Sequence, residues 1–204
     1  MNNNKIKNVI VVGGGTAGWM TSSLLAKVLG KTLNITLVES DKIGIVGVGE
    51  ATIPPIVSFN SAIGVEEKAF LKATKGTIKL GIDFENWNNA NESYMHAFGN
   101  IGKKFPFCDF HHFWLRSEQL NKGNDPIEGK SFWDYSLNYQ TAKVNKFAPI
   151  NNIPNTNLPG LAYAYHFDAG LYAQFLRKHA EGMGVNRIEG TITQVKQHQS
   201  TGFI

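Results

Sequence analysis

A run of glycines between two hydrophobic segments constrains this chain more than any other feature. Gly13-Gly14-Gly15-Thr16-Ala17-Gly18 follows the β-branched run Asn8-Val9-Ile10-Val11-Val12. A continuous run of that kind predicts a strand buried on both faces. From Thr16 to Leu29, Ala17, Met20, Leu24, Leu25 and Val28 recur at helical spacing, and Gly30 is a natural stop. Ile35 to Val38 predicts a second buried strand, ended by Glu39-Ser40-Asp41. Strand, helix and strand in about thirty residues make a βαβ unit and imply a parallel sheet, hence a Rossmann-like α/β fold.

The glycines form a G-x-G-x-x-G pattern, and each has a physical job in such a turn. Gly13 permits the tight turn, Gly15 lets the backbone approach a pyrophosphate, and Gly18 lets the helix sit close to the strand. Phosphates then lie on the free N–H groups at Thr16 and Ala17, at the positive end of the helix. Glu39, 21 residues after Gly18, can accept hydrogen bonds from ribose hydroxyls. An acid there also disfavours a 2′-phosphate and so NADP. Dinucleotide binding follows, with FAD and NAD not separated by these residues. Gly30-Lys31-Thr32 mimics the end of a P-loop, but Leu25 stands where that motif needs its first glycine.

Further along, one or two short helices are expected between Val57 and Thr74. Residues 77–84 alternate strictly, with Ile78, Leu80, Ile82 and Phe84 on one side and Lys79, Gly81 and Asp83 on the other. This predicts one half-buried strand with Lys79 on its polar face. Tyr94–Phe98 reads as another short strand. Residues 105–160 are aromatic and Asn-rich, with helices expected near Phe110–Gln119 and Phe132–Thr141. Ala162–Phe167 reads as a strand, Asp168 as the N-cap of a helix through Met183, and Ile188–Val195 as a further strand. Ser200–Ile204 resembles a turn entering a strand that the chain does not finish.

Composition excludes several classes. The 204 residues suffice for one sizeable domain, and 42% hydrophobic content excludes a disordered chain. The net charge of +4 comes from scattered residues, without the basic run of a nucleic-acid binder. A single cysteine, Cys108, excludes an internal disulfide and fits a reducing compartment. The apolar run at the N-terminus is too short for a signal peptide or a membrane span, so a cytoplasmic protein is expected. Cys108-Asp109-Phe110-His111-His112 brings possible metal ligands together, but no second cluster completes a set, and no metal site is expected. His166 reads as a structural residue at a strand end, and the four tryptophans as packing residues.

Three segments resemble one family. Gly13-Gly-Gly-Thr-Ala-Gly-Trp19, Gly47-Val-Gly-Glu-Ala-Thr-Ile-Pro54 and Thr77-Ile-Lys-Leu-Gly-Ile-Asp-Phe84 look like the flavin-dependent halogenases, the tryptophan halogenase branch above all. Tyr165-His-Phe-Asp-Ala169 matches as well. The resemblance covers almost the whole chain and implies the N-terminal part of an FAD-binding domain of the flavoprotein monooxygenase type. In that layout residues 1–55 carry the dinucleotide motif and a strap over the flavin. Residues 77–160 carry Lys79 and a substrate-side insertion, and residues 161–204 return to the FAD-binding sheet. Complete family members are more than twice as long, so the sheet is expected to be unfinished.

The resemblance also implies roles. Gly13, Gly15, Thr16, Ala17, Gly18 and Glu39 would hold the ADP half of FAD, with Ile192 near the adenine. Gly49, Glu50 and Ala51 would belong to the strap. Lys79 matches the essential family lysine, and His96 and Phe98 match residues that stack on an indole ring. The implied chemistry uses FADH2, O2 and chloride or bromide to make hypohalous acid, which Lys79 guides either as a hydrogen-bond donor or as a haloamine. The haloamine route needs a neutral amine, which a free lysine, titrating near ~10.4, does not supply at neutral pH. The implied partners are tryptophan or another indole and a separate NADH-dependent flavin reductase, compatible with a homodimer and with no nucleic acid or membrane. An FAD-dependent aromatic hydroxylase would share the glycine motif but would need neither Lys79 nor the strap. An inactive N-terminal remnant is the third reading.

Overall fold

Two parallel strands and the helix between them carry the glycine turn in a computed structural model that describes residues 5–44, 47, 49–120 and 131–204. Strand β1 (Asn8–Val12) leads through the turn into helix α1 (Thr16–Leu29) and on to β2 (Asn34–Glu39). Gly30 caps α1 with its N–H on the Ala26 carbonyl. β1 pairs in parallel with β2, Asn8 opposite Asn34 and Val12 opposite Val38. On the other side of β2 lies β8 (Asn186–Glu189), also parallel, with Leu37 opposite Arg187 and Glu39 opposite Glu189. The strand order is therefore β1-β2-β8, with β2 central. A Rossmann-like α/β arrangement is the result.

The burial of this layer departs from the expected pattern in two places. β1 is not buried on both faces: Ile10 and Val12 are 57% and 59% exposed. It is the edge of its sheet, with no strand on its far side among the described residues. Only β2, flanked on both sides, has the fully buried residues Ile35 and Leu37. The face of α1 is also rotated. Leu24 and Val28 are exposed, whereas Trp19, Ser22, Ser23 and Ala26 are buried. Small residues there let α1 approach α6 (Ala169–Gly182) closely, and that contact decides the face.

Helices α2 (Pro55–Ala62) and α3 (Glu67–Thr74) fall where short helices were expected. Glu66 caps α3 by accepting from Lys68 and Ala69. α6 starts at Asp168, whose carboxylate accepts from the Leu171 N–H at 2.9 Å. Around α6, Phe70 packs edge-on against Phe167 and Tyr172, at 5.4 and 5.3 Å between ring centres. β7 (Ala164–Asp168) pairs antiparallel with β3 (Gly49–Ala51), Glu50 opposite Phe167.

The alternating segment is not one strand. It divides at Leu80 into β4 (Thr77–Lys79) and β5 (Gly81–Glu85). The Leu80 carbonyl accepts from the Phe98 N–H at 2.8 Å and from the Asn138 amide. β5 pairs with β6 (Ser93–Ala97) in an antiparallel hairpin, Ile82 opposite His96. α4 (Phe110–Leu120) falls where a helix was expected, while the next helix is split by Ser136 into a 3-10 turn (Phe132–Tyr135) and α5 (Leu137–Lys143). β8 begins before Ile188 and ends at Glu189, not at Val195. Ser200–Ile204 turns back, with the Gly202 N–H on the His198 carbonyl, and starts no strand. Of the tryptophans, Trp19 is buried but Trp87 is mostly exposed, touching only the edge of Phe84 among the ring contacts described.

The chain divides into two compact units. The first holds Met1–Ala51, Ser58–Thr77 and His166–Ile204; the second holds Thr52–Val57 and Ile78–Tyr165. Among the described residues no helix is long and apolar enough to cross a membrane.

Candidate functional site

The first unit contains a cleft of about 600 Å³ at the carboxyl ends of β1 and β2. Gly13, Gly14, Gly15, Thr16, Ala17, Glu39, Gly47, Glu50, Gly190 and Ile192 all line it. The turn is built by sequence. Gly13 has φ +103°, a conformation that favours glycine, and donates to the Val38 carbonyl at 2.9 Å. A Cβ on Gly18 would stand 1.9 Å from the Gly13 carbonyl oxygen, so only glycine lets α1 start this close to β1. A Cβ on Gly15 would meet nothing within 4 Å, which leaves the backbone open to a ligand. Helix α1 begins at Gly15 with no side-chain cap, so its first N–H groups stay available. An open glycine turn beside an uncapped helix N-terminus fits a pyrophosphate.

Glu39 faces this cleft but is not a free carboxylate. The Arg187 Nε donates to its Oε1 at 2.7 Å, and Arg187 also pairs with Asp41. Arg177 from α6 stands 3.8 Å from the same oxygen and bonds Glu181 at 3.2 Å. The bond to Glu39 holds the Arg187 guanidinium above its ordinary pKa. Sequence reasoning missed Arg187, because nothing local marks it; it becomes visible only once the β2–β8 register is known. Of the expected strap, Gly49, Glu50 and Ala51 form β3, while Val48 lies outside the described residues.

In the second unit, Lys79 reverses its expected setting. Placed by the alternation on the polar face of its strand, it is only 6% exposed. Its Nζ donates to the Thr52 carbonyl at 3.0 Å and sits 5.5 Å from the centre of the Phe98 ring. Among the described residues no carboxylate lies within the 4.0 Å of an ion pair with it. Burial therefore pulls its pKa below the ordinary lysine value. Thr52 is itself fixed: its N–H and hydroxyl donate to the Tyr165 carbonyl at 3.0 and 2.9 Å, and its oxygen accepts from the Tyr165 N–H at 3.1 Å. Thr52 and Tyr165 were quoted in the sequence only as parts of motifs.

The expected ring-stacking residues differ. Phe98 is buried beside Lys79, whereas His96 is exposed on the hairpin. His166 lies in β7 opposite Ala51. Among the described residues no group of three or more metal-ligating side chains forms.

The tryptophan halogenase family profile matches residues 8–204. The chain belongs to that family. A tryptophan 6-halogenase of Streptomyces toxytricini is 31% identical over 210 residues, covering 96% of this chain and 40% of the relative. A flavin-dependent halogenase from Xanthomonas campestris has a solved structure with TM-score 0.85 and 45% identity, over 97% of this chain and 38% of that one. Another, from Brevundimonas sp. BAL3, gives TM-score 0.84 at 37% identity, over 98% of this chain and 38% of that one. The chain thus spans about two fifths of the length of these halogenases.

Proposed function

We propose that this chain supplies the nucleotide cleft and the reactive lysine of an FADH2-dependent halogenase acting on tryptophan or another indole. The observation that carries the reading is Lys79, a buried amine with no carboxylate in ion-pair reach among the described residues, held on a carbonyl beside an aromatic ring. FAD, when bound and reduced, would supply the oxygen-activating chemistry that turns chloride or bromide into hypohalous acid. Gly13, Gly15, Thr16, Ala17 and Gly18 would bind its pyrophosphate, Glu39 the ribose, and Ile192 the adenine side. Gly49, Glu50 and Ala51 would lie along the flavin as a strap.

Lys79 acts on the halogen, and its environment bears on how. A hydroxylase gains nothing from an unpaired buried amine, whereas halogen transfer needs one at hydrogen-bonding distance. Loss of solvation moves the amine toward its neutral form, the direction the haloamine route requires. Phe98, its ring against the Lys79 amine, would form one wall for the indole, with His96 nearer solvent. Reduced flavin would come from a separate NADH-dependent reductase.

The test is aerobic turnover of tryptophan and of indole by the full-length gene product, with FAD, reductase, NADH and halide. A product heavier by one halogen less one hydrogen, absent in Lys79→Ala although flavin still binds, supports the reading. Addition of oxygen alone would show a hydroxylase instead. Absence of both product and flavin binding would leave the remnant.

A further inference from the structure

Glu39 carries two oxygens, and hydrogen bonds among the described residues engage only one of them. Oε1 is bound by the Arg187 Nε at 2.7 Å. Oε2 lies over the glycine turn, where a Cβ on Gly14 would come within 1.2 Å of it. Gly14 must therefore be glycine to leave room for this carboxylate. The Arg187 and Glu39 side chains are only 12% and 14% exposed, so the pair is largely shielded from water. Arg187 is fixed in turn by Asp41, and by its place in β8 opposite Leu37. The Glu39 carbonyl accepts from the Gly190 N–H at 2.7 Å, tying the same two strands together one step further on.

A free glutamate loses rotamer freedom when a ligand immobilises it. Here part of that loss is taken on folding, because the guanidinium, itself anchored by Nη2 on Asp41, holds Oε1 through Nε and limits the orientations open to the carboxylate. The oxygen left over is the one above the turn, in the cleft. We propose that Arg187 is a positioning residue, which fixes Glu39 so that Oε2 is preset to accept from the vicinal hydroxyls of an adenosine ribose. Arg187 touches no ligand in this scheme; it acts through Glu39. The inference rests on the nucleotide-binding reading of the cleft.

Binding of ADP and of 2′,3′-dideoxy-ADP to this chain, measured by titration calorimetry, tests it without any turnover. The unaltered chain should prefer ADP by about tenfold, the worth of one charge-assisted hydrogen bond. Arg187→Gln should reduce that preference to about twofold or less, while the affinity for dideoxy-ADP changes little. Glu39→Gln should lose it similarly, and the double variant should lose no more, since both act on one contact. If Arg187→Gln does not fold, Arg187→Lys, which keeps the charge but not the fork, replaces it and should also lose most of the preference. A preference that survives in the Arg187 variant overturns this inference alone. Equal weakening of both ligands overturns it too, because that marks Arg187 as merely structural. If the unaltered chain binds neither FAD nor ADP, the flavin reading fails and takes the inference with it.

Discussion

Replacing Lys79 by methionine should make this chain more stable at neutral pH. Lys79 is 6% exposed, and its ammonium has a carbonyl and a ring as neighbours instead of a carboxylate. A buried charge costs several kcal/mol even after relaxation. The hydrogen bond to Thr52 offsets about 2 kcal/mol of that, and the Phe98 ring about 1–2 kcal/mol. A penalty of about 1–2 kcal/mol remains. Methionine keeps the unbranched stem and removes the charge, so urea denaturation at pH 7 should show a gain of about that size.

The pH dependence has a definite sign. The folded pKa of Lys79 lies below the unfolded value, so the native state binds fewer protons between the two. Below the folded pKa both states are protonated, and the parent chain carries the full penalty. As pH rises from the folded pKa toward about 10.4, the parent gains stability that Lys79→Met cannot gain, and the difference closes. Lys79→Met less stable than the parent at pH 7, with a difference that stays flat up to pH ~10.5, would refute the reasoning.

Other predictions concern the turn and the core. Gly18→Ala should cost about 2–3 kcal/mol in denaturant, because its Cβ collides with the Gly13 carbonyl. Gly15→Ala should fold nearly as well as the parent, since its Cβ meets nothing, yet weaken FAD binding measured by flavin fluorescence. Tyr172→Phe should cost about 1–3 kcal/mol in the same denaturation assay. It removes a 2.7 Å bond to Asn60, a buried residue whose Nδ2 already has no hydrogen-bond partner among the described residues.

The parts of this fold legible in the sequence were those fixed by local punctuation. Gly15 and Gly30 bracket α1 where expected, and Asp168 caps α6. What the sequence misplaced depended on partners far along the chain. α1 packs on α6 and buries the small residues Ser22, Ser23 and Ala26, a face that a pattern of large apolar residues does not reveal. β1 and β2 look alike as sequences, but only β2 is flanked on both sides. Lys79 alternates as a surface residue would, and its burial follows from the break at Leu80 and the Thr52 carbonyl, 27 residues away. Arg187 and Glu39, 148 positions apart, were legible only as two separate charges.

That separation sets an order of events during synthesis. The glycine turn leaves the ribosome early, but Gly190 and Ile192, which line the other side of its cleft, are made about 175 residues later. At about 5–20 residues per second the delay is roughly 9–35 s. Through that interval β2 lacks its β8 neighbour, and a nucleotide would find half a cleft. Until β8 pairs with it, that edge of β2 is open to pairing with other chains. The complete cleft exists only once Gly190 and Ile192 have been made.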